Sequence, residues 1–210
     1  MPMKFSKASI ISLKLVLQTA LIIIAVFIII KDADLIVQGN SESSWTEYAQ
    51  EFCLLVAIIL FAFSAKLYPQ ARGFLVLVTG FFATMLIREA DDLFNQIQHG
   101  FWKYPALMVT LLTVLYARKC SGTVKQPLWN FLDSKNFVYI TLGLTIVMVF
   151  SRIFGSGHFW RHVMADAYLP VYRNIIQEGI ELLGYVLVLF GSILVCIEVW
   201  HQRAKPEYKQ

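Results

Sequence analysis

Six stretches of the chain are dominated by apolar side chains, near residues 10–30, 50–68, 71–92, 104–118, 136–154 and 176–200. A helix needs about 20 residues to cross the hydrocarbon core of a bilayer. The first and last stretches meet that length outright. The middle ones have uninterrupted apolar cores of roughly 14 to 18 residues, so their polar ends must reach the interface or the bilayer must thin. The pattern predicts an all-α polytopic membrane protein, a single transmembrane domain over 1–210 built as a bundle of six helices. The N-terminal apolar run is too long for a signal peptide and no A-x-A-like site follows it, so it reads as a retained first span.

The polar positions between these runs are also periodic. In `READDLFNQIQHG`, Glu89, Asp92, Gln96 and His99 recur at i, i+3, i+7 and i+10. They form one stripe of a helix that is expected to project outward for two or three turns and to stop at Gly100. In the last run, Asn174, Glu178, Glu181 and Tyr185 share a face. Glu181 lies inside apolar sequence, where an ionised carboxylate must be paired, protonated or metal-bound. Gly184 and Gly191, seven apart, are expected to let a neighbouring helix approach closely. A short amphipathic helix near 157–169 is expected between Gly157 and Pro170, lying in the outer interface, with His158, His162 and Asp166 on one narrow arc.

Composition supports the membrane class and charge gives it a direction. The chain is 58% hydrophobic and only 15% charged, with a mean hydropathy of +0.62. A formal charge of +4 offers no general basic surface, so no nucleic-acid partner is expected. With six spans, Lys4, Lys7, Lys14, Lys66, Arg72, Arg118, Lys119, Lys125, Lys135, Arg203, Lys205 and Lys209 fall on one side. Lys31, Arg88, Lys103, Arg152, Arg161 and Arg173 fall on the other. The positive-inside rule then puts both termini in the cytoplasm. The acids run the opposite way, Asp133, Glu198 and Glu207 inside and all others outside, Glu42 among them. Compact loops and the lack of targeting tags suggest a bacterial inner membrane. Trp45, Trp102 and Trp160 on one side, and Trp129 and Trp200 on the other, read as interfacial anchors. Cys53, Cys120 and Cys196 have no zinc or redox spacing and read as free thiols.

The candidate chemistry lies on the outer side. Carboxylates beside imidazoles suit Zn, Mn or Fe. The expected ligand set is Asp92, His99, His158, His162, Asp166 and Glu181, with Glu89 or Glu178 as general base. A metal-bound water would then attack a lipid or lipid-linked substrate at headgroup depth. The competing expectation is a salt-bridge network in which Arg88, Arg152, Arg161 and Arg173 neutralise the acids, Arg88 with Asp92 at i, i+4. Two other functions fit the same residues. One is a non-catalytic membrane subunit or a pH or metal sensor, working with a membrane partner or as a homo-oligomer. The other is a component of proton or cation transport.

Overall fold

The computed structural model describes residues 6–37 and 44–203. Lys4, Glu42, Lys205, Glu207 and Lys209, used above to orient the chain, lie outside the described residues. Among the described residues all regular structure is helical. The helices are α1 (Lys7–Val37), α2 (Trp45–Leu67), α3 (Arg72–Glu89), α4 (Asp91–Asn95), α5 (Lys103–Lys119) and α6 (Lys125–Leu132). They continue as α7 (Lys135–Thr145), α8 (Ser151–Phe154), α9 (Gly157–Met164) and α10 (Pro170–Arg203). A π-helical turn, Ile146–Phe150, joins α7 to α8 in one rod.

Five of these segments are long and apolar enough to cross a membrane: Lys7–Leu35, Trp45–Leu67, Pro69–Glu89, Lys135–Phe154 and Pro170–Arg203. The sixth expected span, α5, has 17 residues. At 1.5 Å per residue it is about 25 Å long, shorter than the hydrocarbon core.

Helix α10 is the axis of the bundle. It packs against α1, α2 and α7, and α3 packs on α2 on one side and α5 on the other. From Leu182 to Val195 nearly every side chain of α10 is covered. Leu54, Phe61, Phe82, Val147, Tyr185 and Phe190 fill the core, with the Phe61 and Phe82 rings 5.6 Å apart. The outer surface is apolar in turn. On α1, Ile11, Leu13, Leu15, Val16 and Phe27 are each more than 60% exposed. In water such a face would be an aggregation hazard; against lipid it is the expected contact.

Two helix crossings depend on glycine. A Cβ on Gly184 would lie 2.6 Å from Val147 Cγ2 and 2.8 Å from the Gly143 carbonyl oxygen, and one on Gly191 would lie 2.6 Å from Ile140 Cγ1. On the far side of the bundle, a Cβ on Gly73 would lie 2.8 Å from Thr123 Oγ1. The Gly73 N–H donates to that same oxygen at 2.8 Å. Small residues thus let α7 close on α10, as expected for Gly184 and Gly191, and let the end of α5 reach the start of α3. Hydroxyls inside the helices donate to the carbonyl four residues back, Ser64 to Leu60 at 2.8 Å and Ser192 to Val188 at 2.7 Å among them. This satisfies each hydroxyl where water is absent.

Candidate functional site

At the end of the bundle where α2 and α10 begin and α3 ends lies an open cavity of about 810 Å³. Its walls come from four places: α2 (Glu47, Gln50, Glu51), the α3–α4 corner (Arg88, Glu89, Asp91, Asp92), Arg152 of α8, and the first turns of α10 (Asn174, Gln177, Glu178, Glu181). Seven carboxylates face two guanidiniums.

The deep acids are partnered. Glu181 is buried, pairs with Arg152 at 2.9 Å and accepts from Gln177 Nε2 at 3.3 Å. This is the paired outcome of the three open to a carboxylate in apolar sequence. Glu89 pairs with Arg88 and accepts from the buried Tyr185 hydroxyl at 2.7 Å. In both pairs the acid is the covered member, 13% and 7% exposed, and the arginine the open one, 41% and 47%. Among the described residues the Glu178 carboxylate meets only the Ser44 hydroxyl, at 3.3 Å. Glu47, Glu51, Asp91 and Asp92 form no salt bridge among the described residues.

The rim is built from a cap that spans three helices. Asp32, near the end of α1, is buried. Its carboxylate accepts the Trp45 and Thr46 N–H groups at 2.9 and 3.0 Å and the Ser44 hydroxyl at 3.0 Å. Ser44 is the N-cap of α2, accepting from the Glu47 N–H at 3.1 Å. Gln50 Nε2 donates to the Glu178 carbonyl at 3.0 Å. Helices α1, α2 and α10 are therefore tied together beside the cavity by orphan donors and polar side chains, as helix N-termini require.

Next to this cavity lies a second space of about 450 Å³ with a different character. It is a crevice lined by Phe81, Thr84 and Met85 of α3 and by Val147 and Met148 of the π turn. Arg88, Trp102 and Arg152 complete it, and the same three residues line the acidic cavity. They form the border between an apolar compartment and an acidic one.

The expected site residues divide. Glu89, Asp92, Glu178 and Glu181 come together on the cavity wall. His99, His158, His162 and Asp166 are exposed and do not line it. Among the described residues no three His, Cys, Asp or Glu side chains converge as a metal site requires. The reason is local. The α3 helix stops at Glu89, and Ala90 (φ −82°, ψ 24°) turns the chain before a helix of only five residues. The expected outward rod is thus broken, and His99 falls in the following turn, which Gly100 closes at φ +79°. Helix α9 likewise ends at Met164, short of 169, because Ala165 takes φ +46°. The same break at Ala90 removes the i, i+4 register between Arg88 and Asp92, and Arg88 takes Glu89 instead. Arg161 lies over the Tyr168 ring and Arg173 donates to Asn174, so neither reaches the cavity acids.

Sequence reading missed Asp32, Ser44 and the border role of Trp102. A signal existed for one: `SWTE` at Ser44–Glu47 is a Ser-x-x-Glu capping box. Asp32 at the end of a long apolar run carried no pattern of its own. Lys31 Nζ lies 4.6 Å from the Trp45 ring centroid, and Trp102, half-buried, lines both spaces. Compared with known proteins, the chain matches no family model, no curated protein and no solved structure.

Proposed function

We propose that this is a six-span integral membrane protein, both termini cytoplasmic, that binds a lipid or lipid-linked amphiphile at its outer end. Helix α5 completes the count. It starts beside the cavity at Trp102 and ends against Gly73 at the opposite end of α3, so it runs the length of α3. Its polar ends, Lys103 and Arg118–Lys119, then sit at the two interfaces and local thinning accommodates the rest. The twelve-to-six distribution of Lys and Arg supports the direction.

One observation carries the ligand class: Arg88, Trp102 and Arg152 border both the apolar crevice and the polar cavity. An acyl chain fits the first, a headgroup the second, and guanidiniums between them suit a phosphate. Each guanidinium has five N–H donors, and its pair with a glutamate uses one nitrogen. Both cavities fall in the size range of small-molecule sites. Glu178, whose carboxylate meets only a hydroxyl, is the residue to test as a general base; Glu89, held by Arg88 and Tyr185, is a positioning group.

The test is photolabelling in nanodiscs with a phospholipid carrying a diazirine on its acyl chain. Labelling is expected at Phe81–Met85 and Val147–Met148 and should fall about tenfold in an Arg88→Gln/Arg152→Gln variant. Labelling of the exposed face of α1 serves as the reference for bulk lipid. Crevice labelling no stronger than that of α1, or unchanged in the double variant, would refute the reading.

A further inference from the structure

We infer that the preferred occupant is a zwitterionic phospholipid whose headgroup ends in a primary ammonium; this rests on the lipid reading above and specifies its substrate class. Charge changes in order along one line. Moving from the crevice through Arg88 and Arg152 into the cavity, the lining changes from apolar to cationic to acidic. An amphiphile lying along that line presents an acyl chain, then a phosphate, then a cation. An anionic headgroup without the terminal cation could offer hydroxyl donors but would leave the charge of the carboxylates without a counter-ion.

The carboxylates available to that cation are those without a salt bridge, Glu47, Glu51 and Asp92 foremost. They come from α2 and α4 and belong to neither ion pair. A primary ammonium has three N–H donors and can bond several carboxylates at once. A trimethylammonium has none and is recognised by aromatic cages. Among the described residues the cavity wall offers Tyr48 and Trp102 as its only rings, the latter on the border itself. Carboxylates and side-chain amides make up most of the rest. The lining thus favours the primary amine over the quaternary one.

The experiment uses the full chain in detergent, stripped of lipid and offered an equimolar mixture of dioleoyl phosphatidylethanolamine, phosphatidylcholine and phosphatidylglycerol. Bound lipid is read by native mass spectrometry. Phosphatidylethanolamine is expected to exceed each of the others about tenfold. In Glu47→Gln/Glu51→Gln/Asp92→Asn the preference over phosphatidylglycerol should vanish through loss of bound phosphatidylethanolamine. Unchanged thermal unfolding checks that this variant is folded; should it unfold, Glu47→Gln alone is expected to shrink the preference about threefold. Phosphatidylglycerol bound as well as or better than phosphatidylethanolamine, equal binding of the amine and choline lipids, or a preference that survives the carboxylate variants, overturns this inference and leaves the lipid site standing. No retained lipid, or retention unaffected by Arg88→Gln/Arg152→Gln, overturns both.

Discussion

Ser151 holds the turn that aims Arg152. In an unbroken α-helix the Ser151 N–H would bond the Val147 carbonyl; here it bonds Ile146, five residues back. The Ser151 hydroxyl donates to the Val147 oxygen instead. The π turn therefore takes up about one extra residue, which rotates everything after it by about 100° relative to a continuous helix. Arg152 comes round toward α10 and meets Glu181 at 2.9 Å. Replacing Ser151 with alanine leaves a buried carbonyl without that donor, where no water can replace it, at a cost of about 1–3 kcal/mol. For a chain of this size each kcal/mol shifts the midpoint by about 2–4 °C, so a fall of about 2–12 °C is expected. The sharper readout is a cycle. When the π turn relaxes, Arg152 leaves Glu181, so Arg152→Gln should cost little more in the Ser151→Ala background. Thermal unfolding of the wild type, both singles and the double variant measures this. Full additivity, or Ser151→Ala as stable as wild type, would refute the link between the turn and the ion pair.

Four further outcomes follow from packing, capping and hydrogen bonding. Gly184→Ala sets a methyl 2.6 Å from Val147 Cγ2, well inside normal contact, and should cost about 1–3 kcal/mol in unfolding midpoint and denaturant titration. Gly122→Ala, with nothing within 4 Å, should leave both unchanged. Asp32→Ala removes the acceptor for two backbone donors of α2; a loss of about 2 kcal/mol is expected, with faster amide exchange at Trp45 and Thr46 as the local marker. Tyr185→Phe deletes the hydroxyl that donates to Glu89 and should cost about 1 kcal/mol, with lipid photolabelling retained.

What could be read from sequence follows the physics of each signal. Apolar runs mark helices because lipid leaves no other way to satisfy the backbone, and the six runs fall on helices of the fold. The Gly184–Gly191 spacing was legible for a similar reason: a pair seven apart returns to one face. Gly73 and Gly80 have the same spacing and the same use, a Cβ on Gly80 lying 2.5 Å from Thr113 Oγ1, and went unmarked among larger neighbours. Periodicity misled at `READDLFNQIQHG`. A stripe is meaningful only while the helix is unbroken, and nothing in `EAD` announces that Ala90 leaves it. His99 fell away from the acids for that reason, and the site that remained joins residues from α2, α3, α4, α8 and α10, whose proximity no local spacing encodes. The π turn was equally hidden, since Thr145–Ser151 reads as continuous apolar helix.

The placement of the arginines explains why an acidic cavity can stand beside an apolar crevice at all. An ionised carboxylate bordering hydrocarbon pays heavily for lost water unless a cation stands with it. At 4 Å in surroundings of intermediate polarity that attraction is about 4 kcal/mol. Arg88 and Arg152, paired with Glu89 and Glu181, line both spaces, and the carboxylates without salt bridges line the cavity but not the crevice. The border is therefore locally balanced, and an occupant that adds only negative charge, or only positive charge, upsets one half of it. An amphiphile with both charges in the matching order leaves each glutamate–arginine pair intact while adding a phosphate to the open face of the guanidiniums. On the proposed lipid reading, selectivity is expected to come from the order of charges rather than from their sum. Charge reversal at the border tests this directly: Arg88→Glu should abolish retention of every phospholipid in the mixture, whereas a loss confined to the amine lipid would place recognition in the carboxylates alone.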